Sequence, residues 1–387
     1  MTLGQGFHIG VVSLPIFRLI LLVGLARILV RREWTGITIV PNDYLIISLS
    51  IWLFFASFFH SGNNGSGPIY ITGQILNFLM VYFLFRTWIR NTTDIKNALC
   101  IIAGILLPLA VTMTIEYQSG KNVFSIFSGV PENSLYRSGN FRAQGPFRHP
   151  ILAGTVGATS IPLFFGILKN YRTIATIGII SGILMVITSS SSGPIMSLLA
   201  GMFVLSIWKL RSFTRLIVIS TVLVYMILDL IMNQPPYYLL SRIDISGGST
   251  GWHRAHLIEQ TFNHFYEWWL FGTDQTRHWM PYQGIGASNN HTDVTNYFIG
   301  FAVNGGVLAL VGFILILITS FVSVGRIKES KLTNSISNNF LVWSISASLF
   351  AQTATSISVS YFDQSLLFIW LNIAIISSLY AHHIQNR

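Results

Sequence analysis

Apolar runs of about 18 residues or more, long enough to cross a ~30 Å hydrocarbon core, recur along the whole chain. In lipid, only helices and closed barrels satisfy their own backbone groups. The short alternating strands of a barrel are absent from the sequence. Charged residues are 9% of the 387 and hydrophobic ones 52%, whereas a soluble domain carries roughly 25% charge. The chain cannot cover a water-facing surface of its own size. The expected fold is all-α: a polytopic integral membrane protein, one domain over 1–387.

About eleven spans are expected, near 10–30, 38–59, 68–88, 96–115, 147–168, 172–189, 193–209, 213–232, 298–323, 338–358 and 363–384. Two long polar segments, 116–146 and 233–292, interrupt them. No internal repeat or low-complexity linker divides the chain. "MTLGQGFHIG" lacks a basic n-region and a small-residue cleavage site follows nowhere near it, so the first run reads as a retained helix. Cys100 is the single cysteine and excludes a disulfide framework. The net charge of +10 does not indicate nucleic acid, because no basic run or aromatic-basic module occurs.

Topology accounts for that charge better. With the N-terminus outside, fifteen of the 23 Lys and Arg residues collect in the inner connectors, as the positive-inside rule requires. Trp34, Trp88 and Trp208 fall at inner span ends. Seven basic residues remain outside, and six are arginine: Arg137, Arg142, Arg148, Arg242, Arg254 and Arg277, beside Lys121. A planar, permanently charged fork suits phosphate or carboxylate better than a lysine does. Three of the six crowd into "RSGNFRAQGPFRHPILAG", 137–154, at the mouth of a span.

In the second outer segment, "GWHRAHLIEQTFNHFYEWWLF", 251–271, reads as an amphipathic surface helix. Ile258, Phe262, Phe265 and Trp269 share one face; His253, His256, Gln260, His264 and Glu267 share the other. Arg254 falls within the apolar stripe. The histidines lack HExxH or a zinc-helix spacing and are expected to form a solvated polar face, with no metal. No P-loop, nucleophile elbow or dinucleotide fingerprint occurs. "TSSSSGP", 188–194, reads as a tight turn between closely packed helices. Arg18 is costly inside a span and needs a partner or a wet cavity. The polar stretch 350–364 is a candidate neighbour, with Asp43 or Glu116 as charge partners.

Three segments resemble, in order, the O-antigen ligase and O-antigen polymerase superfamily of bacterial cell-envelope proteins. "RAQGPFRHP", 142–150, is similar to its R-x-x-G-x-F-x-x-P segment at the start of a helix. "SRIDISGGSTGWHRAHLIEQTFNHFYEWWLFG", 241–272, resembles its arginine-led outer helix. "HTDVTNYFIGFAVNGG", 291–306, resembles the histidine-led segment entering a later span. The chain departs from the family at Ile151, Gly193 and Thr292, where Asn, Arg and Asn are common.

The resemblance implies glycan transfer from an undecaprenyl-diphosphate carrier to a hydroxyl, at the outer face of the bacterial inner membrane and without a cofactor. Arg142 and Arg254 match family arginines and would clamp the diphosphate. His291 matches the family histidine and would activate or orient the acceptor. Arg148, Arg18 and Glu116 are further candidates for substrate contact, and Gly145-Pro146 would aim Arg142 and Arg148 back across the helix mouth. Expected partners are the lipid-linked glycan, an acceptor glycan or lipid, membrane lipids and a chain-length regulator. A polysaccharide polymerase is the first reading. A ligase transferring a finished glycan is the second, and a lipid-linked glycan flippase, which would need charge along its spans, the third.

Overall fold

The computed structural model describes residues 2, 5–9, 12–60, 67–242, 251–280, 291–328 and 336–385. Eleven long helices coincide with the eleven expected spans: α1 (Ile16–Val30), α2 (Pro41–Ala56), α3 (Gly67–Trp88), α4 (Thr92–Ser119), α5 (Pro150–Ile167), α6 (Arg172–Thr188), α7 (Ser192–Ser206) and α8 (Thr214–Ile231), then, after two short helices, α11 (Tyr297–Lys328), α12 (Ile336–Thr355) and α13 (Leu366–Gln385). The short ones are α9 (Gly251–Asn263) and α10 (Phe265–Trp268). Among the described residues, seven helices are long and apolar enough to cross a membrane, or eight if α8 and the helical turn 236–242, bent by 85°, form one span. All-α architecture is therefore present, relieved by two small hairpins. One of these, β1 (Gly6–Ile9) with β2 (Val12–Pro15), occupies the start of the first expected span, so α1 begins only at Ile16.

Local signals set the helix ends. Asn91 accepts from the backbone N–H groups of Thr93 and Asp94, while Asp94 accepts from Asn91 N, closing a capping box on α4. That helix stops at Gly120 in the left-handed conformation. Proline at the first helical position opens both α2 and α5.

Helices α5 and α13 form the centre of the bundle, 89% and 83% buried over their apolar windows. Helix α5 packs against α6, α7 and α12, while α11 packs on α2 and α13 on α3. Small residues permit this closeness: a Cβ on Gly157 would lie 2.8 Å from Gly182 O of α6. Phe78, Phe313 and Trp370 stack deep in the other half.

Two buried polar clusters are matched internally. Asn372 donates to Ser348 Oγ (2.8 Å) and Gln352 Oε1 (2.9 Å). Asp43 accepts from Tyr82 OH at 2.6 Å and pairs with Arg86 at 3.4 Å. Asp43 is thus not the partner of Arg18, as the sequence suggested; two neighbours from α3 hold it instead.

The helix expected over 251–271 is broken. His264 leaves helical geometry (φ −99°, ψ 25°) between α9 and α10. Trp268 turns back there to donate from Nε1 to Thr261 O at 2.8 Å. The expected apolar face is only partly covered: Phe262, Phe265 and Trp269 are exposed, as are Trp252 and Tyr266. Leu257 and Trp268 instead pack with Trp279, Met280, Ile299 and Val303 as a separate small core.

Helix α11 also contains a break, at Gly305-Gly306. Gly306 adopts φ +70°, and a Cβ there would sit 2.2 Å from Leu270 O. Thr273 N donates to Val303 O (2.8 Å) and Val307 N to Trp269 O (2.9 Å). The break thereby receives the chain leaving α10.

Candidate functional site

The end of α4, the start of α5, the α6–α7 turn, α9 and the approach to α11 meet at one end of the bundle. Strands β3 (Leu135–Arg137) and β4 (Asn140–Arg142) form an antiparallel hairpin there. Its two-residue turn, Ser138-Gly139, has both residues at positive φ, the geometry that suits the strand twist. Leu135 pairs with Arg142 and Arg137 with Asn140. Side chains alternate along a strand, so Arg137 and Arg142 project from the same face.

Arg142 is buried and donates from Nη2 to Ser191 Oγ at 2.6 Å. Ser191 Oγ in turn donates to Ser189 O at 2.8 Å, and Ala143 N to Thr188 O at 2.9 Å. The serine-rich turn is thus the seat of the arginine loop. Its part in the site went unread in the sequence, where it marked only close packing.

Arg254, on α9, joins the same cluster. Burial, then the charges of Arg137 and Arg254, lower the Arg142 pKa to about 10. Burial and Arg137 lower that of Arg254 as well, with Asp293 opposing them. Nε of each arginine is buried without a hydrogen-bond partner among the described residues. His149 completes the group: desolvation, then Arg142, Arg254 and Arg137, hold its pKa at about 4. The ring is neutral at pH 7, and its Nδ1 accepts from Ile151 N at 3.2 Å, capping α5. Neither Arg137 nor His149 was singled out from sequence. A histidine preceding proline at a helix start carries the cap signal, but the surrounding cations come from distant segments.

Asp293 links this cluster to the third motif. It is within electrostatic reach of Arg254 and His253, and burial raises its pKa against both. His253 Nε2 also lies 3.4 Å from Asp293 O. His291, two residues before Asp293, is exposed at the surface. Desolvation lowers its pKa; Asp274 opposes that shift and His60 adds to it. His60 lies at the end of α2, with Nε2 2.9 Å from Phe271 O. Thr292 N donates to Thr276 Oγ1 at 3.0 Å, which ties the segment after His291 to the 274–276 turn.

The remaining candidates lie elsewhere. Arg148 is exposed and sits over the Phe362 ring at 5.9 Å. It shares Asp363 electrostatically with Arg18. Arg18 donates to Asn77 Oδ1 (2.8 Å) and Gly73 O (3.3 Å). The Gly145-Pro146 turn therefore sends Arg142 and Arg148 to two different groups, not to one. Glu116 is fully buried, and the groups around it are the protein's own: Oε1 accepts from Ser134 Oγ (2.9 Å) and Gln144 N (3.0 Å), Oε2 from Gly145 N (2.8 Å). It is a positioning residue for the arginine loop, not a partner of Arg18.

What this arrangement offers is a half-buried cationic cluster: three guanidinium groups and a neutral imidazole, with Asp293 as the nearby carboxylate. An anion with several oxygens satisfies such a cluster. Away from it, His264, Glu267 and His278 bring ligand-type atoms within 4.8 Å of one another. The chain matches no family model and no curated protein.

Proposed function

We propose that the protein is an envelope glycosyltransferase that moves glycan from an undecaprenyl-diphosphate donor to a sugar hydroxyl, as a polysaccharide polymerase does. In this reading all eleven long helices span the bacterial inner membrane, with the N-terminus and the arginine cluster outside. The carrying observation is that Arg142 and Arg254, from segments more than a hundred residues apart, share one cluster with Arg137 and are mutually repelled. Three cations with Asp293 as the nearby carboxylate are compensated only in part, which costs stability and is relieved by a polyanion. A lipid diphosphate is that anion, and charge develops on it as the glycosidic bond to phosphate breaks.

Arg142, Arg254 and Arg137 hold the diphosphate oxygens and stabilise the departing group. His291, neutral at pH 7, takes the proton of the acceptor hydroxyl as that oxygen attacks the anomeric carbon. Asp274 orients the ring. The exposed aromatic stripe of α9 and α10 rests at the bilayer surface, so the lipid carrier reaches the cluster from the side. Arg18 and Arg148 lie around Asp363 and meet the glycan portion.

The test is reconstitution of the full chain in lipid nanodiscs with an undecaprenyl-diphosphate-linked repeat unit of the producing organism. A ladder of products with release of lipid diphosphate, lost in Arg254→Ala and His291→Ala, supports the polymerase. Release only after a second acceptor is added assigns a ligase. Donor movement across the bilayer without release contradicts transfer and assigns a flippase.

A further inference from the structure

His264, Glu267 and His278 form a compact group outside the arginine cluster. Glu267 Oε1 lies 2.8 Å from His264 Nδ1, and Oε2 lies 2.9 Å from His278 Nε2. The three ligand-type atoms all fall within 4.8 Å of one another. Zinc bound at about 2.0–2.2 Å to N and O ligands needs donor atoms a little over 3 Å apart, so small side-chain shifts would admit it.

The surroundings suit a cation. The buried Trp279 donates from Nε1 to Glu267 Oε2 at 2.9 Å, an outer partner that orients the carboxylate, while Oε1 faces both rings, 2.8 Å from His264 Nδ1 and 3.0 Å from His278 Nε2. Its indole also stacks on the His264 ring, with centroids 5.7 Å apart and planes at 11°. The His278 side chain is 52% exposed, which leaves room for water as a fourth ligand. Two histidines and one carboxylate are a borderline donor set suited to zinc.

We infer that His264, Glu267 and His278 bind one zinc ion, which braces the break between α9 and α10 against the helical turn at 277–279. The sequence suggested only a solvated histidine face, because the third ligand lies beyond the helix. The brace has a direct structural consequence. Thr276, just before that turn, accepts from Thr292 N, so the metal would steady the segment that carries His291. It would stand apart from the reacting groups and take no part in bond transfer.

The test uses the full chain in nanodiscs, with its purification tag removed and Cys100→Ser as background. Zinc chloride alone is titrated at neutral pH by calorimetry, and bound zinc is counted by mass spectrometry. One zinc per chain is expected, weakened at least tenfold by His278→Ala and by Glu267→Gln, and unchanged by His256→Ala. His256 pairs separately with Glu259, at 3.1 Å. Cobalt in place of zinc should give a four-coordinate visible spectrum that His278→Ala abolishes. Size-exclusion profiles identify any variant that fails to fold, and the exposed position of His278 makes its variant the decisive one. Absence of stoichiometric zinc, or equal affinity in wild type and His278→Ala, would overturn the site and leave a hydrogen-bonded triad. Neither result bears on whether glycan is transferred.

Discussion

Arg142 and Ser191 are joined by a 2.6 Å hydrogen bond across 49 residues of sequence, tying the arginine hairpin to the turn between α6 and α7. The bond fixes one edge of the guanidinium and leaves the rest to face the cluster.

Removing that guanidinium should cost transfer more than it costs folding. Arg142→Ala is expected to lower kcat by about 10²–10³, the range for losing one preorganised donor at a developing charge. Arg142→Lys keeps the charge but not the fork and should recover only part of the loss. Ser191→Ala should cost about tenfold or less, near the ~1 kcal/mol of one hydrogen bond. Single-turnover release of lipid diphosphate measures all three.

Glu116 makes a prediction of the opposite kind. Its carboxylate accepts from Ser134 Oγ, Gln144 N and Gly145 N. In Glu116→Gln an NH2 group must face a backbone N–H, costing about 2 kcal/mol for an unsatisfied buried donor. The expected outcome is a lower Tm in detergent together with lost activity. Glu116→Asp, which keeps the acceptors but shortens their reach, should fall between.

Acid should weaken the protein through His149. Its pKa is lowered from 6.5 to about 4 by burial, then by the three arginines. Between those values the unfolded chain binds the proton and the folded chain does not, so stability rises with pH across that window. About 2–3 kcal/mol is present above pH 6.5 and lost as pH falls toward 4. His149→Asn keeps a helix cap and removes the titrating ring. Its unfolding midpoint should therefore vary less between pH 4 and 6.5 than that of the wild type.

A second pH effect concerns activity. In the proposed transfer His291 is the neutral base, and burial lowers its pKa from the ordinary imidazole value, so kcat should be flat at neutral pH and fall in acid. Asp274 raises this pKa and His60 lowers it. Asp274→Asn should shift the acid limb to lower pH and reduce kcat; His60→Ala should shift the limb to higher pH. A pH–rate profile that does not move in either variant contradicts the assignment.

The α11 break supplies a structural prediction. Gly306 has φ +70° and lies against Leu270. Gly306→Ala adds both left-handed strain, about 1 kcal/mol or more, and a clash with backbone. Faster protease cleavage within 265–280 than in wild type is the expected readout.

The helices were legible because lipid demands long apolar runs: a helix overlaps each expected span, though the first begins only at Ile16 and seven or eight of the described helices are long and apolar enough to cross a membrane. The site was legible only in part. Arg142 and Arg254 stood out as arginines on a side where basic residues are scarce, but their meeting depends on hairpin register and on how α9 docks. The Ser138-Gly139 turn went unread, because a segment so short does not announce its strands. His264 fits the helical period, and only Trp268 and Trp279 reveal why the helix ends there. Glu116 was read as a charge partner of Arg18 or a substrate contact, but backbone partners decide its role, and composition does not show backbone partners. Arg18 called for a counterion. The acid it feels, Asp363, lies in the polar stretch 350–364 that the sequence offered as its neighbour, although Asp43 and Glu116 were the acids named as its charge partners.

The most direct test is equilibrium binding of undecaprenyl diphosphate to the full chain in nanodiscs, with Arg254→Gln beside Arg172→Gln, an arginine at the opposite end of α6. The account predicts at least a tenfold loss of affinity in Arg254→Gln, none in Arg172→Gln, and weaker binding of the monophosphate. Equal affinity in all three proteins, or no preference for the diphosphate, would contradict the arginine cluster as its binding site.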